Sequence, residues 1–164
     1  MKKKRVITLD DLVQSAMRVA EKHLEQGEQL CPTLIACGDD GGEESVVIGY
    51  PDYGNPDVKA LARGHMRHMI AERGCTKYIF VMEAWIGVKT KMPPKGYLPQ
   101  NDPERVDALC ITAVEKGGEH YCLVIEFKRL ADKKSITFEK PYKLEHMLEG
   151  NLATLFDTST ETRQ

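Results

Sequence analysis

Three groups of residues in this sequence have the types and spacing that chemistry requires. Asp107 stands in "RVDALCITA", and Glu126 and Lys128 stand two apart near the end of "HYCLVIEFKR". Alternate residues of a strand project to one face, so Glu126 and Lys128 point together. With Asp107 on a neighbouring strand, two carboxylates would offer hard oxygen ligands to a divalent cation. The second group is His65, His68 and Glu72 in "NPDVKALARGHMRHMIAERG". Spacings of three and four place them on neighbouring parts of one helix face, where two imidazoles and a carboxylate can ligate zinc or another transition metal. Helical phase also sets His65 within an apolar stripe between Leu61 and Met69, which predicts a buried, unmetallated histidine. The third group is "GYPDYGNPD", residues 49 to 57, where Tyr50 and Tyr53 can wall a small-molecule pocket beside the free N–H groups of a helix start.

A single carboxylate raises a further question. Glu83 interrupts "KYIFVMEAWIG", a stretch otherwise suited to the interior, and is followed closely by Trp85, the only tryptophan. A buried carboxylate costs several kcal/mol unless a partner or water satisfies it. The strand runs into the proline-rich segment "IGVKTKMPPKGYLPQNDPER", which returns with Arg105 at the start of the next strand. If the two strands pair, Arg105 meets Glu83 at one end of the sheet and can bind it through two parallel bonds, with Trp85 packed beneath the loop. Tyr50, Tyr53, Glu83, Trp85 and Arg105 therefore form the candidate ligand-contact set.

"RVDALCITA" and "HYCLVIEFKR" resemble the core of the PD-(D/E)xK nucleases over residues 105 to 129. The resemblance implies that Asp107 and Glu126 hold a divalent cation while Lys128 helps to activate water. That core continues with a helix, whereas "LADKKSITFEKP" predicts a turn and a strand antiparallel to residues 119 to 129. "EAW", the proline-rich loop and "DPER", over residues 77 to 115, look like a family of uncharacterised bacterial and phage proteins, which implies no activity.

The elements that must position these residues follow from periodicity. Residues 9 to 26 carry apolar side chains at helical spacing behind a Thr8–Asp11 capping box, and Asn55 and Pro56 open a second helix. Its stripe is expected to comprise Val58, Leu61, Ala62, Met66 and Met69. "CPTLIAC" and "ESVVIGY" form a hairpin across "GDDGGE", residues 77 to 86 form a central strand, and "VDALCITAVEK", "EHYCLVIEFKRL" and "SITFEK" form a meander. A short helix is expected over 142 to 150. The result is an α+β domain with a mostly antiparallel sheet of five to six strands and two main helices, in the order α-β-β-α-β-β-β-β. That order is similar to the one in roadblock and profilin-like domains. One domain is expected over 1 to 155, and a polar, disordered tail over 156 to 164.

Composition narrows the function classes. The 164 residues carry 23 basic and 25 acidic groups, a formal charge of -2, which gives no global attraction to polyanions. The apolar run after "MKKKR" is too short for a signal-peptide core, and no stretch approaches the length of a membrane span. Five cysteines without a C-x-x-C pair read as reduced thiols of a cytoplasmic protein. The favoured reading is a non-catalytic interaction or regulatory module without a cofactor, with a protein partner or a second copy as its target. One alternative is a metal-dependent nuclease or phosphodiesterase using Asp107, Glu126 and Lys128, the only reading that calls for a divalent cation and nucleic acid. The other is a small-ligand binder at the Tyr50/Tyr53 loop.

Overall fold

The first helix starts where its capping box predicts. Thr8 Oγ1 accepts the Asp11 N–H at 3.1 Å, and Asp11 Oδ2 accepts the Thr8 N–H at 2.9 Å. Helix α1 then runs Leu9–Glu25 and buries Leu9, Leu12, Val13, Ala16, Ala20 and Leu24 along one stripe. Thr8→Ala is expected to lower stability by about 1 kcal/mol, seen as a lower urea midpoint at unchanged slope. This computed structural model describes residues 6–38, 45–86, 106–129, 136–144 and 155–156, with the backbone alone at Trp85, Ile86 and Arg129.

Helix α2 spans Pro56–Glu72, and its cap Asn55 accepts the Asp57 N–H at 2.9 Å. It ends at Gly74, whose φ of 61° lets the chain reverse so that the Cys75 N–H donates to the Ile70 carbonyl at 3.0 Å. The inward row is Ala62, Met66 and Ile70, a strict i, i+4, i+8 line. Leu61 is 77% exposed, and His65 is exposed rather than buried as its phase suggested. Ala62 and Met66 of the expected stripe do face the sheet, and Ile70 takes the place of Leu61, so the helix is turned by roughly 60° from the expected stripe.

Seven strands form one sheet: β1 Thr33–Cys37, β2 Val46–Gly49, β3 Lys77–Ile86, β4 Val106–Glu115, β5 His120–Arg129, β6 Ile136–Phe138 and β7 Tyr142–Leu144. The spatial order is β2-β1-β3-β4-β5-β6, with β7 also on β5, and every pairing is antiparallel. The chain is a single α+β domain with one strand more than the highest expected count. The extra strand is Tyr142–Leu144, where the start of a short helix was expected. Its residues pair with Cys122 to Val124, so ladder bonds to a long neighbour outweigh weak local helix preference. Residues 145 to 150 of that expected helix lie outside the described residues, as do 130 to 135 of the expected turn. The strand beyond that turn pairs antiparallel with β5, through Phe127↔Phe138 and Arg129↔Ile136.

Alternation along β3 splits the interior in two. Ile79 and Val81 face α1 with Leu109, Ile111, Ile125 and Phe127. Tyr78 and Phe80 face α2 with Leu34, Ala36, Tyr50 and Tyr53. Covered on both faces and flanked by β1 and β4, β3 is the central strand that its apolar run predicts. Phe156, assigned by sequence to the tail, packs on Tyr78 at a ring separation of 5.0 Å, while residues 157–164 lie outside the described residues. At the far edge, Phe127 opposes Phe138 but Val124 opposes Tyr142, so β6 and β7 are offset by one residue, a bulge that contains Pro141. The backbone stays tied there by the Glu139 N–H to the Glu126 carbonyl at 2.8 Å.

Candidate binding cleft

The answer to the Glu83 question lies in a backbone amide. Glu83 Oε1 accepts the Leu30 N–H at 2.9 Å, across 53 residues of sequence. The geometry follows from register. Strand β1 starts opposite Val81, at Thr33, so β3 continues past the end of its neighbour and leaves a notch in the sheet. Glu83 lies there on the α1 side of the sheet, half-buried, and its carboxylate closes the chain segment that links α1 to β1. No other hydrogen bond or ion pair of Glu83 falls among the described residues.

The notch is the floor of a cleft of about 520 Å³ lined by Leu30, Cys31, Asp52, Tyr53, Met82 and Glu83, among others. Its second wall is the turn over residues 51–54. Tyr53 is buried at 1% exposure, its ring 4.9 Å from that of Phe80, so it holds the turn down rather than reaching outward. Tyr50 is also buried, and its hydroxyl shares a 2.9 Å hydrogen bond with His65 Nδ1. The Tyr50 N–H donates to the Pro32 carbonyl at 2.7 Å, joining the two walls. That closeness depends on Gly49: a Cβ there would stand 3.1 Å from Cys31 Sγ, tighter than ordinary contact. Asp52 sits at φ 62°, a left-handed conformation that aspartate tolerates better than most residues, with its side chain exposed.

Of the five expected ligand-contact residues, Glu83 and Tyr53 line this cleft and Tyr50 braces its wall. The Trp85 side chain and Arg105 lie outside the described residues, and with them the expected Glu83–Arg105 pair. Leu30, Cys31 and Asp52 were missed by sequence reasoning. Only the positive-φ preference of "YPDYG" signalled a special turn, and no pattern links Leu30 to Glu83.

The cation-binding sets come out differently. Asp107 opposes Phe127 in register and Ala108 opposes Glu126. Directly opposed residues share a face, so Asp107 lies on the α1 side with Phe127, whereas Glu126 and Lys128 lie on the other side with Ala108 and Val124. Spacing predicted correctly that Glu126 and Lys128 point together. The expectation that Asp107 joins them is corrected, because its register offset from Glu126 is one residue, an odd number. On that second side, burial first and then the Glu126 charge push the Tyr142 phenol up. On α2, His68 Nε2 lies 3.1 Å from Glu72 Oε2 on an exposed surface, and His65 turns instead to Tyr50. No group of three or more metal-ligating side chains occurs among the described residues. No described helix is long and apolar enough to cross a membrane. No family model matches the chain, and no match was found among curated proteins or solved structures.

Proposed function

We propose that this protein is a non-catalytic interaction module that receives a cationic, hydrogen-bond-donating group of its partner in the Glu83 cleft. The observation that carries the reading is the Leu30 amide bond to Glu83 Oε1, which fixes a carboxylate at the floor of a concave site. A preorganised carboxylate loses little side-chain entropy when it accepts a guanidinium or ammonium. Asp52, at the rim, adds charge of the same sign, and Met82 and Leu30 supply apolar surface for the stem of an arginine or lysine. The partner is another protein or a second copy of this chain. Four buried cysteines and one exposed one, none in a disulfide, suit a reducing cytoplasm.

The test is an NMR titration with N-acetyl-arginine amide. Saturable shifts are expected at the Leu30, Cys31 and Gly54 amides, with affinity about tenfold lower in Glu83→Gln, since one hydrogen bond to a charged group contributes about 1.5–3 kcal/mol. Equal binding by wild type and Glu83→Gln would remove the cleft from the reading. Sedimentation over a range of concentrations separates a second copy from a foreign partner.

A further inference from the structure

Strand β2 forms one margin of the sheet, and among the described residues only β1 pairs with it. The direction of its remaining backbone groups follows from a single bond. The Tyr50 N–H donates to the Pro32 carbonyl at 2.7 Å, so Tyr50, just past the end of the strand, turns its backbone groups towards β1. In an antiparallel pair this direction alternates from one residue to the next. Val46 and Ile48 therefore bond β1, whereas Val47 and Gly49 turn their N–H and C=O groups to the open margin. Neither of these two has a backbone hydrogen-bond partner among the described residues.

The side chains at this margin are apolar on both faces of the sheet. Val47 lies largely exposed on the α1 side, opposite Ile35. Ile48 lies on the α2 side, half-buried against the cluster of Tyr50 and Phe80. The hydrogen bond between Tyr50 and His65 turns one row of α2 towards β2, and the exposed Leu61 stands one turn earlier on that row. A matching element must offer unpaired backbone groups together with apolar side chains on both faces. β2 itself is such an element.

We propose that β2 pairs antiparallel with β2 of a second copy of this chain, with Val47 of one copy opposite Val47 of the other. Symmetry and pleat select this register. A two-fold axis that joins antiparallel strands edge to edge stands perpendicular to the sheet, so like faces of the two copies lie on the same side. Directly opposed residues share a face, so the axis passes through a residue paired with itself and never between two neighbours. Val46 and Ile48 already bond β1. Gly49 on the axis would set Val47 opposite Pro51, which has no N–H. With Val47 on the axis, each Val47 N–H donates to the other's C=O and the two exposed side chains meet. A ladder four residues long is small beside the roughly 1,000 Å² that a stable interface buries, so the pair is reversible.

Sedimentation of the full-length protein from roughly 1 μM to roughly 500 μM tests this. A monomer–dimer equilibrium is expected, and hydrogen exchange at the Val47 amide is expected to slow as the dimer fills. Val47→Lys, at an exposed position, sets like charges opposite each other on the axis and is expected to weaken association at least about tenfold. Glu83→Gln is expected to pair like wild type, which separates this margin from the cleft. Loss of pairing in Glu83→Gln would mean that the copies meet through the cleft, and would overturn the inference. A monomer throughout the range, the result if the margin takes a strand of a different protein, would overturn it too. So would association unchanged in Val47→Lys, or exchange at the Val47 amide that does not respond to concentration.

Discussion

Phe80→Ala is expected to lower the stability of this domain by about 3 to 5 kcal/mol, a large share of the roughly 5–15 kcal/mol that a domain of this kind possesses. Phe80 is fully buried on the central strand, and its ring lies 4.9 Å from Tyr53 and 6.5 Å from Tyr50. Truncation removes the surface on which both tyrosines rest, and α2 contributes Ala62, Met66, Ile70 and the half-buried Met69 to the same cluster. The loss should therefore exceed that of an isolated aliphatic truncation, because aromatic pairs add to area burial. The turn over 51–54 loses its anchor as well, so probe binding in the cleft should weaken along with stability. Urea unfolding measures the first effect, and a cost under about 1 kcal/mol would mean that the tyrosines do not depend on this ring.

Stability is expected to fall steeply above about pH 10, the ordinary pKa of tyrosine. Burial pushes the Tyr50 phenol up to about 12, and burial, reinforced by the neighbouring Asp10 carboxylate, does the same to Tyr121. Tyr78 is raised as well, chiefly by burial, against the lowering influence of its Leu155 hydrogen bond and the Arg67 charge. Each phenol is neutral in both states below pH 10, so its contribution is fully present there. Between pH 10 and 12 the unfolded chain releases these protons while the folded chain keeps them, so the unfolded state binds fewer protons and stability declines as pH rises. At pH 12 the loss is on the order of 2 kcal/mol for each of Tyr50 and Tyr121. Tyr121→Phe keeps the ring and removes the proton, so its decline should be shallower than that of wild type. A flat stability profile between about pH 9 and 11.5 would contradict this account.

Residues governed by local rules were legible in the sequence. The Thr8–Asp11 box, the Asn55–Pro56 helix start, the two-sided burial of β3 and the meander after Val106 each depend on neighbours within a few positions, and each occurs as expected. Properties that depend on the relation between distant elements were not legible. The rotation of α2 is set by where Tyr50 and Tyr53 dock, which the helix's own pattern cannot encode. The face of Asp107 relative to Glu126 changes with a single residue of register between two strands. Glu83 was correctly singled out as needing an explanation, but its amide partner lies 53 residues earlier in an irregular segment with no periodicity. Tyr142–Leu144 is strand because Cys122 to Val124 offer it ladder partners, a tertiary effect on a short segment.

The one-residue offset between β6 and β7 also gives the sheet a direction of growth. A further strand laid along that side would have to match two registers at once and would find no N–H at Pro141, so propagation from that side is blocked. The opposite side ends in β2, four residues long, with Val47 69% exposed at its second position. Among the described residues, β2 is therefore the margin of this sheet without a register break. Two copies meeting through β2 would each present a blocked outer margin, and such an assembly would stop at a pair rather than continue into a fibre.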